Sequence, residues 1–273
     1  MRTRLTRIGV LLFAGAYFAL PIVSSFLFSI KDNQANVWTA KYYTGIVGAE
    51  GFWPSLRTSL MMAVLVIGIS LALMLPTMLV VHLRHPKVRQ LVELVTLLPL
   101  VIPPIVLVVG VRTVLGWGPD YFAGTPTAAF LSGIQDTNLP WVLVLTYVVL
   151  AMPFTYRSLD AGLRAIDLHT QVEAARNLGA GWGTVLTRIA APGLRGALLN
   201  ASFLAFALVI GEYTIASILL FTPFPVWLVA LGLDHAQLSV SVSVLSLFLT
   251  WLALLSISVI GSRGGRSATL RSV

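Results

Sequence analysis

The sequence contains no cysteine and very few charged residues. Of its 273 residues, only 10% are charged and 57% are hydrophobic, whereas an ordinary soluble domain has roughly 25% charged residues. The shortage of charge excludes a soluble globular class, and the lack of short alternating segments excludes an outer-membrane barrel. The absence of cysteine fits any compartment and decides nothing about localisation. The chain is therefore predicted to be an all-α membrane protein.

Catalytic and metal-binding patterns are also missing. The sequence has no G-x-x-x-x-G-K-[ST] loop, so the chain is not expected to hydrolyse ATP by itself. Its four histidines lack the spacing of a metal site, and no Ser/His/Asp arrangement is suggested by position. We predict no catalytic residue, no metal site and no cofactor bound by this chain, with an intramembrane enzyme kept as a distant alternative.

Six apolar stretches are long enough to cross a bilayer, which takes about 20 residues. They cover approximately residues 8–30, 57–83, 91–115, 140–158, 196–220 and 239–261. The basic residues before the first stretch leave a cleaved signal peptide as an alternative, although the apolar run exceeds the usual length of about 7–15 residues. No domain boundary or repeat is visible, so residues 1–273 are predicted to form one domain of six transmembrane helices.

The distribution of basic residues predicts the orientation. With the N-terminus inside, 14 of the 18 basic residues lie on the cytoplasmic side: Arg2, Arg4, Arg7, Arg84, Lys87, Arg89, Arg157, Arg164, Arg176, Arg188, Arg195, Arg263, Arg266 and Arg271. The other side carries Lys31, Lys41, Arg57 and Arg112. This is the positive-inside bias. It places both termini in the cytoplasm and explains the net charge of +8 without a nucleic-acid partner.

The second inward loop, about residues 159–195, is the longest one on that side. Asp167 is predicted to cap a helix that starts at Leu168, and Gly179 to end this helix in the left-handed conformation. Thr184 is predicted to cap a second helix that Pro192 ends. Trp182 lies in the turn between the two helices. The loop is therefore predicted to form a compact knob that a partner can grip.

The loop resembles that of permease subunits in binding-protein-dependent ATP-binding-cassette (ABC) importers. The family's signature is E-A-A, three residues, G, nine residues, then I-x-L-P. The matching residues are Glu173, Ala174, Ala175, Gly179, Ile189 and Pro192, and Ala191 stands where leucine is usual. The fixed spacing favours this interpretation over an amphipathic loop on the lipid surface, which Trp182 and the nearby arginines would also suit.

The resemblance extends over nearly the whole chain. The six-helix layout, the run Pro99–Pro104 and the segment Gly211-Glu212-Tyr213 are similar to the spermidine/putrescine branch of these importers. The resemblance implies a type I ABC importer permease fold in the bacterial cytoplasmic (inner) membrane. The implied partners are two cytoplasmic ATP-binding subunits, which hold ATP and Mg²⁺, a second permease that is expected to be a different chain, and an extracytoplasmic substrate-binding protein.

The same resemblance implies a mechanism. The knob from about Glu173 to Ile189 is expected to couple ATP hydrolysis to transport, with Gly179 setting its bend and Glu173 holding its geometry through a polar partner. A polyamine is the favoured cargo. The alternatives are an importer permease for phosphonate, iron(III), thiamine or an oxyanion, and, outside this family, a self-sufficient secondary transporter or channel.

A few residues of the predicted spans point to a path or a gate. Glu212 is predicted well inside the fifth span, where a carboxylate costs about 2.5–3.5 kcal/mol at the bilayer centre. One interpretation puts Glu212 and Tyr213 on the translocation path, and the other pairs Glu212 with Arg112. Pro103 and Pro104 are expected either to break the third span beside the path or only to kink it.

Overall fold

The computed structural model describes residues 2–32 and 35–269, and α-helices make up most of this part of the chain. The helices are α1 (Arg2–Ser29), α2 (Lys41–Gly45), α3 (Phe52–Arg84), α4 (Arg89–Val101), α5 (Pro104–Tyr121), α6 (Pro126–Gly133), α7 (Trp141–Arg164), α8 (Leu168–Asn177), α9 (Trp182–Thr184), α10 (Ala191–Gly193), α11 (Arg195–Gly211), α12 (Thr214–Ile218), α13 (Phe224–Asp234) and α14 (Ala236–Thr269). Short 3₁₀ turns cover Ile46–Gly48 and Pro86–Val88, and a π-helical segment covers Val185–Ala190. Strands β1 (Lys31–Asp32) and β2 (Val37–Trp38) pair antiparallel.

Three helices are each long and apolar enough to cross a membrane: Thr6–Ser29 within α1, then α3 and α7. Two further spans are possible if bent pairs count as one, namely Pro86–Val101 with α5 and Trp182–Gly193 with α11. The described residues therefore supply three to five spans by length and composition. The sixth predicted stretch lies within α14. The count of six and the cytoplasmic position of both termini stay predictions, and Arg271 lies outside the described residues.

The third and fifth predicted stretches are not continuous helices. The helix through residues 91–115 is broken after Val101, and its two arms meet at 96°. Pro103 and Pro104 cause the break, since a proline has no amide hydrogen and its ring clashes with the preceding turn. The bend is that of a broken helix rather than of a simple kink, and the position of this break beside a path stays a prediction. The helix predicted through residues 196–220 ends at Gly211.

The chain divides into two compact units. In the unit Pro54–Val226, α7 is the central helix, because 72% of its apolar window is buried against 33% of the window in α3. One apolar cluster, around Met62, Leu143 and Tyr147, joins α3, α5, α7, α11 and α12. A second cluster joins the last turns of α3 and α7 to the loop that follows, and it includes Met78, Leu163, Leu168, Val172, Val185 and Leu194.

Helices α7 and α11 approach each other closely. A Cβ added to Gly162 would lie 2.5 Å from Cβ of Ala197, so only glycine fits at this crossing. Ala201 and Ala205 follow along the same helix and are almost fully buried. The small side chains along this face of α11 thus permit the close packing of the two helices.

The second unit contains the residues up to Trp53 together with those from Trp227 onward. Within it, α1 and α2 pack against α14. The indole of Trp227 donates a 2.8 Å hydrogen bond to the carbonyl of Glu50. Beside the two-stranded hairpin, the Lys41 ammonium pairs with the buried carboxylate of Asp32, and the hydrogen bond in this pair raises the pKa of Lys41.

Candidate functional site

Helix α8 carries the first half of the sequence signature. The amide of Thr170 donates to the Asp167 carboxylate at 3.4 Å, so the predicted N-cap is confirmed. Leu168 and Val172 are buried in the second apolar cluster. Glu173 points the other way and is mostly exposed. Its carboxylate lies 3.5 Å from Nδ1 of His169, one turn earlier.

The polar partner of Glu173 is thus a residue of its own helix rather than of a neighbouring element. Ala174 is exposed and Ala175 is half-buried. The outer face of α8 therefore combines a carboxylate with two small side chains, and another protein can approach it closely. No other polar contact to Glu173 exists within the described part of the chain.

Gly179 ends the helix as predicted. Its φ angle is +83°, in the left-handed region that a side chain disfavours. The amide of Gly179 donates to the carbonyl of Arg176 at 2.9 Å, and the amide of Ala180 donates to the carbonyl of Ala175 at 3.0 Å. This pair of bonds is a Schellman motif, and it fixes the direction in which the chain leaves α8.

The second helix of the loop begins earlier than predicted. It starts at Trp182 with Gly181 as its N-cap, so the assignment of Thr184 as the cap was wrong. It continues through the π-helical segment to Gly193, and Pro192 lies inside it rather than ending it. The wider π turn before Pro192 changes the hydrogen-bond register, so the missing amide is accommodated. A bend of 79° near Leu194 then leads into α11.

Trp182 makes cation–π contacts with two arginine side chains. The guanidinium carbons of Arg84 and Arg176 are 4.7 Å and 5.3 Å from the centre of its ring. Arg84 is the last residue of α3, so these cation–π contacts attach the turn of the loop to the end of a predicted span. Arg176 also donates to the carbonyl of Ala180 at 3.0 Å. The remaining signature residue, Ile189, packs against the second apolar cluster.

Glu212 does not lie inside a helix, contrary to the prediction. Helix α11 ends at Gly211, Glu212 has an extended backbone, and α12 begins at Thr214. Its Oε1 accepts from the amide of Ile215 at 2.9 Å. Its Oε2 accepts from the hydroxyl of Tyr147 at 2.8 Å and from the amide of Ala216 at 3.4 Å. The carboxylate caps the free amides that follow a helix break.

The predicted pairing of Glu212 with Arg112 is not formed. Arg112 lies exposed on α5, and no ion pair joins it to Glu212 among residues 2–32 and 35–269. Sequence reasoning missed Tyr147, which is fully buried and takes the place expected for Arg112. Tyr213 is 42% exposed, and Pro103 and Pro104 are exposed at the bend of the third stretch.

Comparison with known proteins bears on the whole region from α3 to α14. Residues 64–263 match the family described as binding-protein-dependent transport system inner membrane component. The chain belongs to this family. The match contains both the loop around Gly179 and the break at Glu212. The predicted family, that of membrane components of binding-protein-dependent transport systems, is therefore confirmed.

Two kinds of relative are similar to this transport component. It is 32% identical over 177 residues to the molybdenum transport system permease protein ModB of Mycobacterium bovis, covering 59% of this chain and 63% of the relative. The protein of the same name from Mycobacterium tuberculosis gives the same values. It is 28% identical over 219 residues to sulfate permease 2, chloroplastic, of Chlamydomonas reinhardtii, covering 76% of this chain and 54% of the relative. The chain covers less than two thirds of the length of each of these relatives. None of the three is named for a polyamine.

Metal-ligating side chains are scattered in this transport component. No group of three or more His, Cys, Asp or Glu side chains that could hold a metal ion occurs in the described residues. The polar side chains that do converge, around Glu212 and around Trp182, satisfy backbone amides or stack on one another. These contacts hold the break after α11 and the turn at Trp182 in place.

Proposed function

We propose that this chain is the permease subunit of an ATP-driven importer for a small oxyanion, and that its loop 159–195 docks on an ATPase subunit. The observation that carries the proposal is the loop itself. Helix α8 and the helix from Trp182 form a knob whose bend is set by Gly179, and the chain belongs to a binding-protein-dependent transport family. The outer face of the knob presents Glu173, Ala174 and Ala175.

The packing of the knob supports a coupling role. Leu168 and Val172 pack with Val185 in one apolar cluster that also contains residues of α3 and α7. A force applied to α8 therefore reaches two predicted spans through direct contacts. The contact of Trp182 with Arg84 adds a second connection to α3. Closure of the two ATPase subunits would then move these helices as a rigid body between two packings.

The environment of Glu212 favours an anionic cargo over a cationic one. A polyamine needs a carboxylate with free acceptor capacity, but both oxygens of Glu212 already accept hydrogen bonds within the protein. Arg112 is exposed and has no carboxylate partner within the described residues, so its charge is available to an anion. The relatives reported above are named as permeases for molybdenum and for sulfate. The polyamine cargo expected from the sequence has no support from them.

The translocation path is proposed to pass the two helix breaks. Arg112 and Tyr213 are exposed and are proposed to face it, as are Pro103 and Pro104 at the bend. Glu212 is proposed as a positioning residue of the gate, because it holds the break after α11 together. The second permease across the path is proposed to be a different chain, and the membrane is the bacterial cytoplasmic membrane.

Reconstitution tests the cargo. The chain is purified with the ATPase, the second permease and the binding protein encoded beside it, and ATPase activity is measured with molybdate, sulfate, spermidine, thiamine, a phosphonate and iron(III). Stimulation by molybdate or sulfate is expected. Stimulation by spermidine alone would restore the polyamine assignment. Failure to associate with any ATPase subunit would overturn the coupling role and favour a channel or secondary transporter.

Substitution at the bend tests the loop. Proline at position 179 cannot adopt the positive φ and removes the amide that donates to Arg176. Gly179→Pro is therefore expected to abolish substrate-stimulated ATPase activity while the complex still inserts into the membrane. Gly181→Ala is the matched control, since a Cβ at Gly181 meets open space and its φ is −74°. Normal stimulation in Gly179→Pro would exclude this loop as the coupling element.

A further inference from the structure

A polar cleft opens where α4 begins and α7 ends. Arg164, which lines it, belongs to the start of the loop 159–195, but none of the lining residues lies in α8, in the helix from Trp182 or at the two helix breaks. Its volume is about 510 Å³. The residues that line it are Pro86, Lys87, Arg89, Gln90, Glu93 and Arg164. Three of the six carry a positive charge and one carries a negative charge. None of these residues belongs to the outer face of the knob, formed by Glu173, Ala174 and Ala175, or to the residues proposed to face the path.

Asp160 orders the basic side chains of the cleft. Its Oδ1 accepts from Nη2 of Arg89 at 2.5 Å, and its Oδ2 lies 2.8 Å from Nη2 of Arg164. Asp160 is largely buried, whereas the side chains of Arg89 and Arg164 keep 28% and 60% of their exposure. A guanidinium has five N–H donors in a fixed plane. Both arginines are thus held in place and keep donors for a ligand in the cleft.

The balance of charge favours a singly charged anion. Lys87, Arg89 and Arg164 face Glu93 and Asp160, so one positive charge remains without an acidic counterpart in this cluster. Of these three cations, Lys87 is the one that makes no ion pair within the described residues. A phosphodiester carries one negative charge and several acceptor oxygens, and planar guanidinium groups bind such oxygens well.

The position of the cleft indicates where the anion comes from. Helices α3, α4 and α7 have their charged ends at Arg84, Arg89 and Arg164, and the apolar parts of α3 and α7 extend away from these ends. Charged residues at the ends of spanning helices lie at the level of lipid headgroups. Basic pockets between helices at this level bind acidic headgroups.

We propose that this cleft binds the phosphate of an anionic phospholipid headgroup, such as that of phosphatidylglycerol. Arg89 and Arg164 hold the phosphate oxygens, and Lys87 supplies the unbalanced charge. Free inorganic phosphate shares this chemistry but has no acyl chains to place it at the membrane level. The site is therefore assigned to lipid, and it does not depend on the cargo or on the coupling role of the loop.

The test measures lipid binding to the full chain in neutral detergent, by native mass spectrometry with phosphatidylglycerol and phosphatidylcholine of the same acyl chains. Phosphatidylglycerol is expected to bind more tightly. Lys87→Gln is expected to weaken its binding about fivefold, the effect of one basic residue near a lipid surface, and to leave phosphatidylcholine unchanged. Lys87 is exposed and makes no ion pair, so this variant should fold normally, as circular dichroism will check.

Arg195→Gln is the matched control, because Arg195 is an exposed basic residue at the start of α11 and lies outside the cleft. Its binding of phosphatidylglycerol should equal that of the unmodified chain. Equal binding of the two lipids, or equal losses in Lys87→Gln and Arg195→Gln, would overturn the proposal. Displacement of phosphatidylglycerol by inorganic phosphate at equal concentration would also overturn it, since the site would then be one for a free anion.

Discussion

Tyr147 and Glu212 are joined by a 2.8 Å hydrogen bond between the phenol and the carboxylate, although 65 residues separate them. Tyr147 is fully buried in the second turn of α7, and Glu212 lies at the break after α11. The hydrogen bond connects the break after α11 to α7, the most buried helix of its unit. It satisfies a carboxylate that would be costly to leave unpaired at this depth.

Removal of either partner should destabilise the protein. A hydrogen bond to a charged group contributes about 1.5–3 kcal/mol, so Tyr147→Phe should lower the free energy of unfolding by this amount. Glu212→Gln should do the same or more, because the carboxylate also caps two amides. The double variant should lose less than the sum of the two changes. Denaturant unfolding in detergent measures all three, with Tyr121→Phe, an exposed tyrosine, as the control.

Glu212→Gln should also reduce transport while the subunits still assemble. If the complex forms and its uptake kinetics are unchanged, Glu212 belongs neither to the path nor to a gate.

The crossing of α7 and α11 should not tolerate even one added methyl group. In Gly162→Ala, the new Cβ meets Ala197 at 2.5 Å, so one helix must move. Overpacking of this kind costs about 1–3 kcal/mol, and the thermal midpoint should fall accordingly. Gly196→Ala adds the same group to α11 where nothing lies within 4 Å, and its midpoint should be unchanged. Equal midpoints for the two variants would contradict the close crossing.

Loss of the indole at Trp182 should increase the fraction of molecules in which the loop is open. The contacts with Arg84 and Arg176 contribute about 0.5–1 kcal/mol each at an exposed site. Trp182→Ala should therefore make trypsin cut within the loop roughly 5–30 times faster, since cleavage follows the opened population. Trp38→Ala, which removes an exposed tryptophan in β2, should leave this rate unchanged. A loop that resists trypsin equally well without Trp182 is not held by these contacts.

Asp160 should contribute more to stability than an exposed acidic residue does. It is the shared partner of Arg89 and Arg164, so Asp160→Asn leaves two guanidinium groups without their carboxylate. The expected loss in the free energy of unfolding is about 1.5–3 kcal/mol. Asp234→Asn changes an exposed carboxylate at the end of α13 and should alter stability by less than about 0.5 kcal/mol. Similar losses of stability in the two variants would show that the ion pairs of Asp160 with Arg89 and Arg164 add little to the free energy of unfolding.

The parts of the structure that the sequence predicted correctly depend on a few consecutive residues. Asp167 caps α8 and Gly179 ends it because capping involves residues within one or two turns. The same kind of local argument predicted the wrong start for the next helix. Gly181 can serve as an N-cap as well as Thr184, and the choice between them is made by packing of the indole at Trp182.

The parts that the sequence did not predict depend on long-range contacts or on breaks inside apolar runs. Hydropathy stays high through Gly211, so an average over about 20 residues cannot detect the break there. At Pro103 and Pro104 the two prolines left a break as one of two possibilities, but hydropathy alone could not choose between a break and a kink. Arg112 was the obvious partner for Glu212 because it carries the opposite charge. The buried hydroxyl of Tyr147 offers a donor without the cost of a second buried charge, and no sequence pattern connects these two positions.

The 96° bend after Val101 limits how the third predicted span can lie in a bilayer. Its arms have 13 and 18 residues, which correspond to lengths of about 20 Å and 27 Å. At most one arm can follow the membrane normal, and α5 is the one that nearly matches a hydrocarbon thickness of about 30 Å. Helix α4 must then lie close to the plane of one leaflet. A helix in that position occupies area in a single leaflet, so the proposed transport cycle should respond to lateral pressure and curvature as well as to membrane thickness.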